Sequence, residues 1–222
     1  MEQTAPPLRT LRQETILVTA ERLFADHGFH GVTLRQIADA ARVPLALVGY
    51  YFGRKHDLFR AVFHHRAACH HARLATIDEA RRHAREAQGL LRIVEAFVLP
   101  LVHLRHNPST AAYARLLARE LQQGSPVTEH PMGAGFDPLV QRFMLALGEA
   151  VPTAGPTEIA WGCQFTLGAV ALHMRDRRIE QLLPGGALGF DRTAAPRLVA
   201  YAVSGLAAVL HGDGATDARA QP

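Results

Sequence analysis

The sequence predicts an all-α protein: a small N-terminal helix-turn-helix unit followed by a larger helical bundle. Three observations carry that prediction. Apolar residues recur at helical spacing along nearly all of the 222 residues. No segment alternates with the two-residue period of a strand. Glycine, proline and Asn-Pro signals cut the pattern into pieces of helix length.

Ile16, Leu17, Ala20, Leu23 and Phe24 fall on one face of a first helix. His27-Gly28 ends it, glycine supplying the left-handed stop. A second helix starts at Thr33. Thr33-Leu34-Arg35-Gln36 has the capping-box pattern, in which Thr33 and Gln36 satisfy orphan N–H groups reciprocally. Arg42-Val43 forms a short turn, and Pro44 suits the first position of a third helix, two turns long, reaching Tyr51. Phe52-Gly53 breaks it, and one long fourth helix is expected from Arg54 to the early eighties. Further helices fit Gly89–His106, Ser109–Gln123, Phe136–Ala150, Thr157–Leu183 and Thr193–His211. Pro100 interrupts the first of these, leaving a carbonyl free and opening a groove. Gly124–Gly135 is the longest loop. The expected units are a DNA-binding head over 8–55, a ligand and dimerisation domain over 56–212, and a disordered tail over 213–222.

Composition bounds the function. An apolar fraction of 48% supports a real core and excludes wholesale disorder. Two cysteines, Cys69 and Cys163, exclude a disulfide scaffold. No export signal is visible, and the uncharged run Leu198–Gly212 is short of the roughly 20 residues of a membrane span. A soluble, cytoplasmic protein is the expectation, with no membrane partner. The net charge is only +4, but residues 1–66 hold nine Arg/Lys against six Asp/Glu, a net of +3. That places the excess on the N-terminal unit, where it favours a polyanion. Of the 24 basic side chains only Lys55 is a lysine.

A capped helix, a tight turn and a short second helix, buttressed by a preceding helix, form a helix-turn-helix whose second helix fits the major groove. The residues Phe24-Ala25-Asp26-His27-Gly28-Phe29-His30-Gly31-Val32-Thr33-Leu34-Arg35-Gln36-Ile37-Ala38 and Tyr50-Tyr51-Phe52-Gly53-Arg54-Lys55-His56-Asp57-Leu58-Phe59 resemble the N-terminal module of the TetR/AcrR family, over about Arg12 to His64. The resemblance implies a DNA-binding head, a helical ligand-and-dimerisation domain, and transcriptional regulation.

The expected DNA contacts follow from position. Thr33, with Leu34 behind it at the helix start, offers a hydroxyl and backbone N–H to a phosphate. Arg35 reaches phosphate or a guanine edge. Pro44 opens the reading helix. Leu45 and Ala46 offer methyl contacts and Gly49 permits close approach. Tyr50 and Tyr51 carry hydroxyls suited to phosphate, and Lys55 sits at a helix N-terminus where its charge acts on another. The chain departs from the family pattern at Arg42, where many members place glycine, and at Gly49, where a tyrosine is common. A left-handed backbone at Arg42 costs around 1 kcal/mol.

Further on, Leu90-Leu91-x-Ile93-Val94, Ala96–Leu101, Arg115–Glu120, Phe136-Asp137-Pro138 and Trp161-x-x-Gln164-Phe165-x-x-Gly168 resemble the ligand domain of a TetR subgroup related to fatty-acid-responsive regulators. That likeness implies an apolar pocket. Phe97, Leu101, Leu104, Tyr113, Leu117, Phe143, Leu147, Trp161 and Phe165 are its candidate lining; core packing is the plainer reading of each. Gly162, Gly168 and Ala169, with Ala202, Gly205 and Ala208, allow close helix approach, which suggests a homodimer through the last two helices. Two-fold symmetry then matches a palindromic operator on double-stranded DNA.

His64, His65, His70 and His71 cluster with Cys69, but no pair has an evident third ligand for zinc, so no metal and no cofactor is expected. No catalytic motif appears, so the expectation is not an enzyme. The reading is a repressor released by an apolar small-molecule inducer. The alternatives are a helical ligand-binding protein that has lost DNA specificity and a metal-sensing regulator.

Overall fold

The computed structural model describes residues 8–122, 133–175, 178, 182 and 194–211. Among the described residues there are ten α-helices and no strand: α1 (Leu8–His27), α2 (Leu34–Ala41), α3 (Leu45–Phe52), α4 (Lys55–His65), α5 (Ala67–Arg82), α6 (Gly89–His106), α7 (Ala111–Gln122), α8 (Gly133–Ala150), α9 (Pro156–Arg175) and α10 (Ala194–Leu210). Most of the expected loop Gly124–Gly135, most of the stretch between Arg175 and Ala194, and the tail lie outside the described residues.

The helix ends follow local chemistry. Gly28, at φ 74°, turns the chain out of α1 and donates its N–H to the Phe24 carbonyl at 2.8 Å. Thr33 is the N-cap of α2: the Gln36 N–H donates to its Oγ1 at 3.2 Å, and the Thr33 N–H donates to Gln36 Oε1 at 2.8 Å. Arg42 closes α2 at φ 55°, ψ 44°, the left-handed conformation expected of a position where glycine is common. Pro44 is the N-cap of α3 rather than its first residue, with ψ 139°. Gly53, at φ 71°, ends α3 and donates to the Gly49 carbonyl at 2.9 Å.

One expected helix is two. The chain breaks at Arg66, φ −89° and ψ 0°, between α4 and α5. Arginine is a good helix former, so its own propensity does not require a break; at this point Arg66 grips Glu21 of α1.

The hydrophobic core is continuous from Ile16 to Leu210. α1 packs on α2 and α4 within the head and on α7 of the bundle. An aromatic chain marks that seam. Phe24 meets Phe59 edge-on at 4.9 Å, Phe59 meets Phe63 at 5.4 Å, and Phe63 meets the buried Tyr113 of α7 at 5.9 Å. Each such pair adds about 0.5–1.5 kcal/mol beyond the area it buries.

Candidate nucleic-acid interface and ligand groove

α3 has one buried anchor, Val48 at 0% exposure, with Leu47 half-buried beside it. Its opposite face carries Leu45, Ala46, Gly49 and Tyr50, all exposed; Leu45 is 43% and Tyr50 73% accessible. A β-carbon at Gly49 would meet nothing within 4 Å, so the helix face is flat there. Apolar groups cost solvation when left in water, and this face holds them on the element best placed to enter a groove. Pro44 is exposed at its leading end, and Arg35 on α2 and Arg42 in the turn are exposed cations on either side.

The other expected contacts are placed differently. Leu34 is half-buried and packs against the core, so its side chain does not face outward. Tyr51 also packs against the core, and the Arg9 guanidinium lies 5.9 Å from its ring centre. The Thr33 hydroxyl and N–H are both engaged by Gln36, at 2.9 and 2.8 Å. A phosphate would compete with that side chain. Lys55 reaches back across the head: its Nζ donates to the carbonyls of Phe29 at 3.0 Å and Val32 at 3.1 Å, and lies 4.3 Å from the Phe29 ring centre. Two of its three N–H groups thus pin the α1–α2 loop to α4.

In the bundle, Phe97, Leu101, Leu104, Tyr113, Leu117, Phe143 and Leu147 are all buried. Phe97 and Phe143 stack at 4.0 Å and 7°, filling the space between α6 and α8. Trp161 and Phe165 do not join them. They are 51% and 57% exposed and stack on each other at 5.5 Å on the outer side of α9. Helical spacing cannot separate the two sides of α9, because Gly162, Cys163, Thr166 and Val170 cover the inner one while large apolar groups also line the outer one.

The open space lies elsewhere. A groove of about 520 Å³ runs between α5 and α6, walled by Ala80, Ala96, Leu99 and Pro100 and edged by Glu79, Glu95, His83, His103 and Arg92. Its apolar wall includes Pro100, which lies inside α6 without breaking the helix and was the one signal in the sequence that pointed here. His106, near the end of α6, is half-buried; burial, then the neighbouring Arg105 and His103 charges, hold its imidazole below the usual histidine range. The side chains of Cys69, His70 and His71 lie outside the described residues. Among the described residues no three metal-ligating groups converge.

No described helix is long and apolar enough to cross a membrane. Residues 16–62 match the family described as bacterial regulatory proteins, tetR family, and residues 95–205 match the tetracyclin repressor-like C-terminal domain. A stretch of 55 residues is 38% identical to the HTH-type transcriptional regulator HbdR of Aromatoleum sp. (strain CIB), covering 25% of this chain and 24% of HbdR. The match therefore spans about a quarter of that relative's length. The fold is similar to HlyIIR, a hemolysin II transcriptional regulator, with a TM-score of 0.60 at 19% identity over 87% of this chain and 97% of that one. It is also similar to FadR from Bacillus subtilis in complex with stearoyl-CoA, with a TM-score of 0.52 at 16% identity over 90% and 98%. With its N-terminal head and half of its length both matched, this chain belongs to the TetR family of transcriptional regulators, DNA-binding helix-turn-helix proteins and not enzymes.

Proposed function

We propose that this TetR-type regulator acts as a homodimeric repressor that holds a palindromic operator and releases it when a small molecule occupies the bundle. The observation that carries the DNA reading is the exposed Leu45–Ala46–Gly49–Tyr50 face of α3, flanked by the exposed cations Arg35 and Arg42. Leu45 and Ala46 read thymine methyls, and Gly49 lets the backbone approach the base edges. Arg35, Tyr50 and the start of α2 at Thr33 position the head on phosphates. The third N–H of Lys55 remains for a phosphate after the loop is pinned. Fluorescence anisotropy with DNA from upstream of its own gene tests this. Specific binding is expected at physiological salt, and Arg35→Ala should lower the salt slope by about one. Binding no tighter than to random DNA refutes specific repression.

The dimer reading rests on the outer face of α9 and α10. Trp161, Phe165, Leu172 and Tyr201 are each more than half exposed there, and Gly168 and Gly205 face open space. A shallow hollow of about 120 Å³ between Phe165, Tyr201 and Gly205 suits a side chain of a second copy. Four helices, two from each subunit, would bury this face. Sedimentation at micromolar concentration should give a dimer, and Trp161→Glu a monomer; a monomeric parent protein sinks the proposal.

The ligand is expected in the α5–α6 groove. It loosens DNA only so far as it prefers the released state. The α5 wall of the groove belongs to the helix that starts at the Arg66 break, which joins the head to the bundle.

A further inference from the structure

We infer that the α5–α6 groove takes an amphipathic cation, with the Glu95 carboxylate as its counter-ion. This rests on the reading of that groove as the ligand site and names the class of ligand.

The charges around the groove decide it. Arg92, the one cation among the arginines and lysines at its edge, is already neutralised: its Nη1 lies 2.9 Å from Glu86. His83 is held by the same carboxylate at 2.6 Å. Glu79 pairs with Arg82. Glu95 is different. It is half-buried on the groove side of α6, and among the described residues it has no hydrogen-bond or ion-pair partner. A second acceptor lies next to it. Pro100 has no N–H, so the Ala96 carbonyl, on the same wall, lacks its usual donor one turn along. The groove therefore offers the Glu95 carboxylate, beside a carbonyl without its i+4 donor, against a paired Arg92 and the imidazoles of His83 and His103.

The walls set the rest of the molecule. Ala80, Ala96, Leu99 and Pro100 form a continuous apolar surface, and about 520 Å³ is within the range of small-molecule sites. An acyl chain or aromatic group lies along that surface while an ammonium or guanidinium head meets Glu95. A fatty carboxylate placed the same way would bring its head against Glu95 with only a spent arginine to answer it. Like charges at such range cost affinity, and opposite charges in a half-buried site gain it.

Matched amphiphiles test this on the full-length dimer or monomer as purified. Decyltrimethylammonium, decanoate and decanol carry the same chain with a positive, a negative and a neutral head. Isothermal titration below their micelle concentrations is expected to give one cation per chain, bound about tenfold or more tightly than decanoate. Glu95→Gln should erase that preference while leaving decanol binding and the thermal midpoint unchanged. Leu99→Trp, which fills the apolar wall, should abolish binding of all three. Decanoate binding as tightly as the cation, or unchanged cation affinity in Glu95→Gln, overturns the inference. Operator release read in the same samples separates the two levels. Release by decanoate alone keeps the ligand-responsive reading and removes the cation; no binding by any amphiphile removes both.

Discussion

The Arg66 guanidinium meets both carboxylate oxygens of Glu21 at 2.7 Å, at the point where α4 gives way to α5. Glu21 is only 2% exposed. Arg66 also donates to the Ser109 carbonyl at 2.9 Å and lies 5.8 Å from the Tyr113 ring centre. One side chain thus ties α1, the α4–α5 break and the α6–α7 turn together.

Removing one partner of a buried pair strands the other charge. Arg66→Ala should cost about 3–5 kcal/mol in chemical denaturation, because Glu21 is left buried and unpaired. The double change Glu21→Leu with Arg66→Met should recover much of that loss. Equal stability of the single and double variants would refute the assignment.

Glu120 of α7 gives a pH signature. It is 3% exposed, and its Oε1 has no hydrogen-bond partner. Burial pushes its carboxyl above the ordinary glutamate range, opposed by the Arg119 charge. A raised carboxyl pKa means that the unfolded chain loses its proton first as pH rises. Stability from this group is therefore present at acid pH and lost as pH climbs above the ordinary glutamate range of about 4.3. Glu120→Gln should stabilise the protein at pH 7 by about 1 kcal/mol and flatten the melting-temperature profile above pH 5 or so. A profile that keeps its slope refutes it.

Arg42 holds a left-handed backbone without being glycine. Arg42→Gly should raise stability by about 0.5–1 kcal/mol and at the same time weaken DNA binding at low salt, because an exposed cation beside α3 is lost. Denaturation and anisotropy on the same variant read the two effects, which have opposite signs.

Gly49 is a glycine inside a helix with empty space beside it. Gly49→Ala should stabilise α3 by about 0.5–1 kcal/mol through helix propensity, yet weaken operator binding if the α3 face meets the bases. Gains in both would show that the α3 backbone does not approach DNA closely.

Helix ends written in local chemistry were legible in the sequence. The Thr33–Gln36 box, the glycine stops at Gly28 and Gly53, and the left-handed Arg42 all depend on a few adjacent residues. Long-range features were not. The break falls at Arg66, whose guanidinium pairs with Glu21, 45 positions away, and no neighbour of Arg66 signals it. Lys55 stands where a phosphate clamp is expected, but its ammonium meets backbone carbonyls whose approach depends on the packed loop. Trp161 and Phe165 have the spacing of core residues, and apolar periodicity does not say whether burial comes from within the chain or from a second one. The groove was half legible: Pro100 marked its wall, although α6 runs through the proline unbroken, while the unpaired state of Glu95 required every neighbouring charge to be placed.

Gly28 sits against α7: a β-carbon there would lie 2.6 Å from the Arg119 guanidinium, and Arg115 of the same helix pairs with Asp26 at 2.8 Å. The loop that leads into the reading helices is therefore shaped partly by the bundle. A head cut at residue 55 and grafted onto another regulator's bundle would lose its seat unless the recipient supplied a matching α7. Recombination between such proteins is constrained at this seam, so that changes of operator and changes of ligand are easier to make one residue at a time than by exchanging whole cassettes.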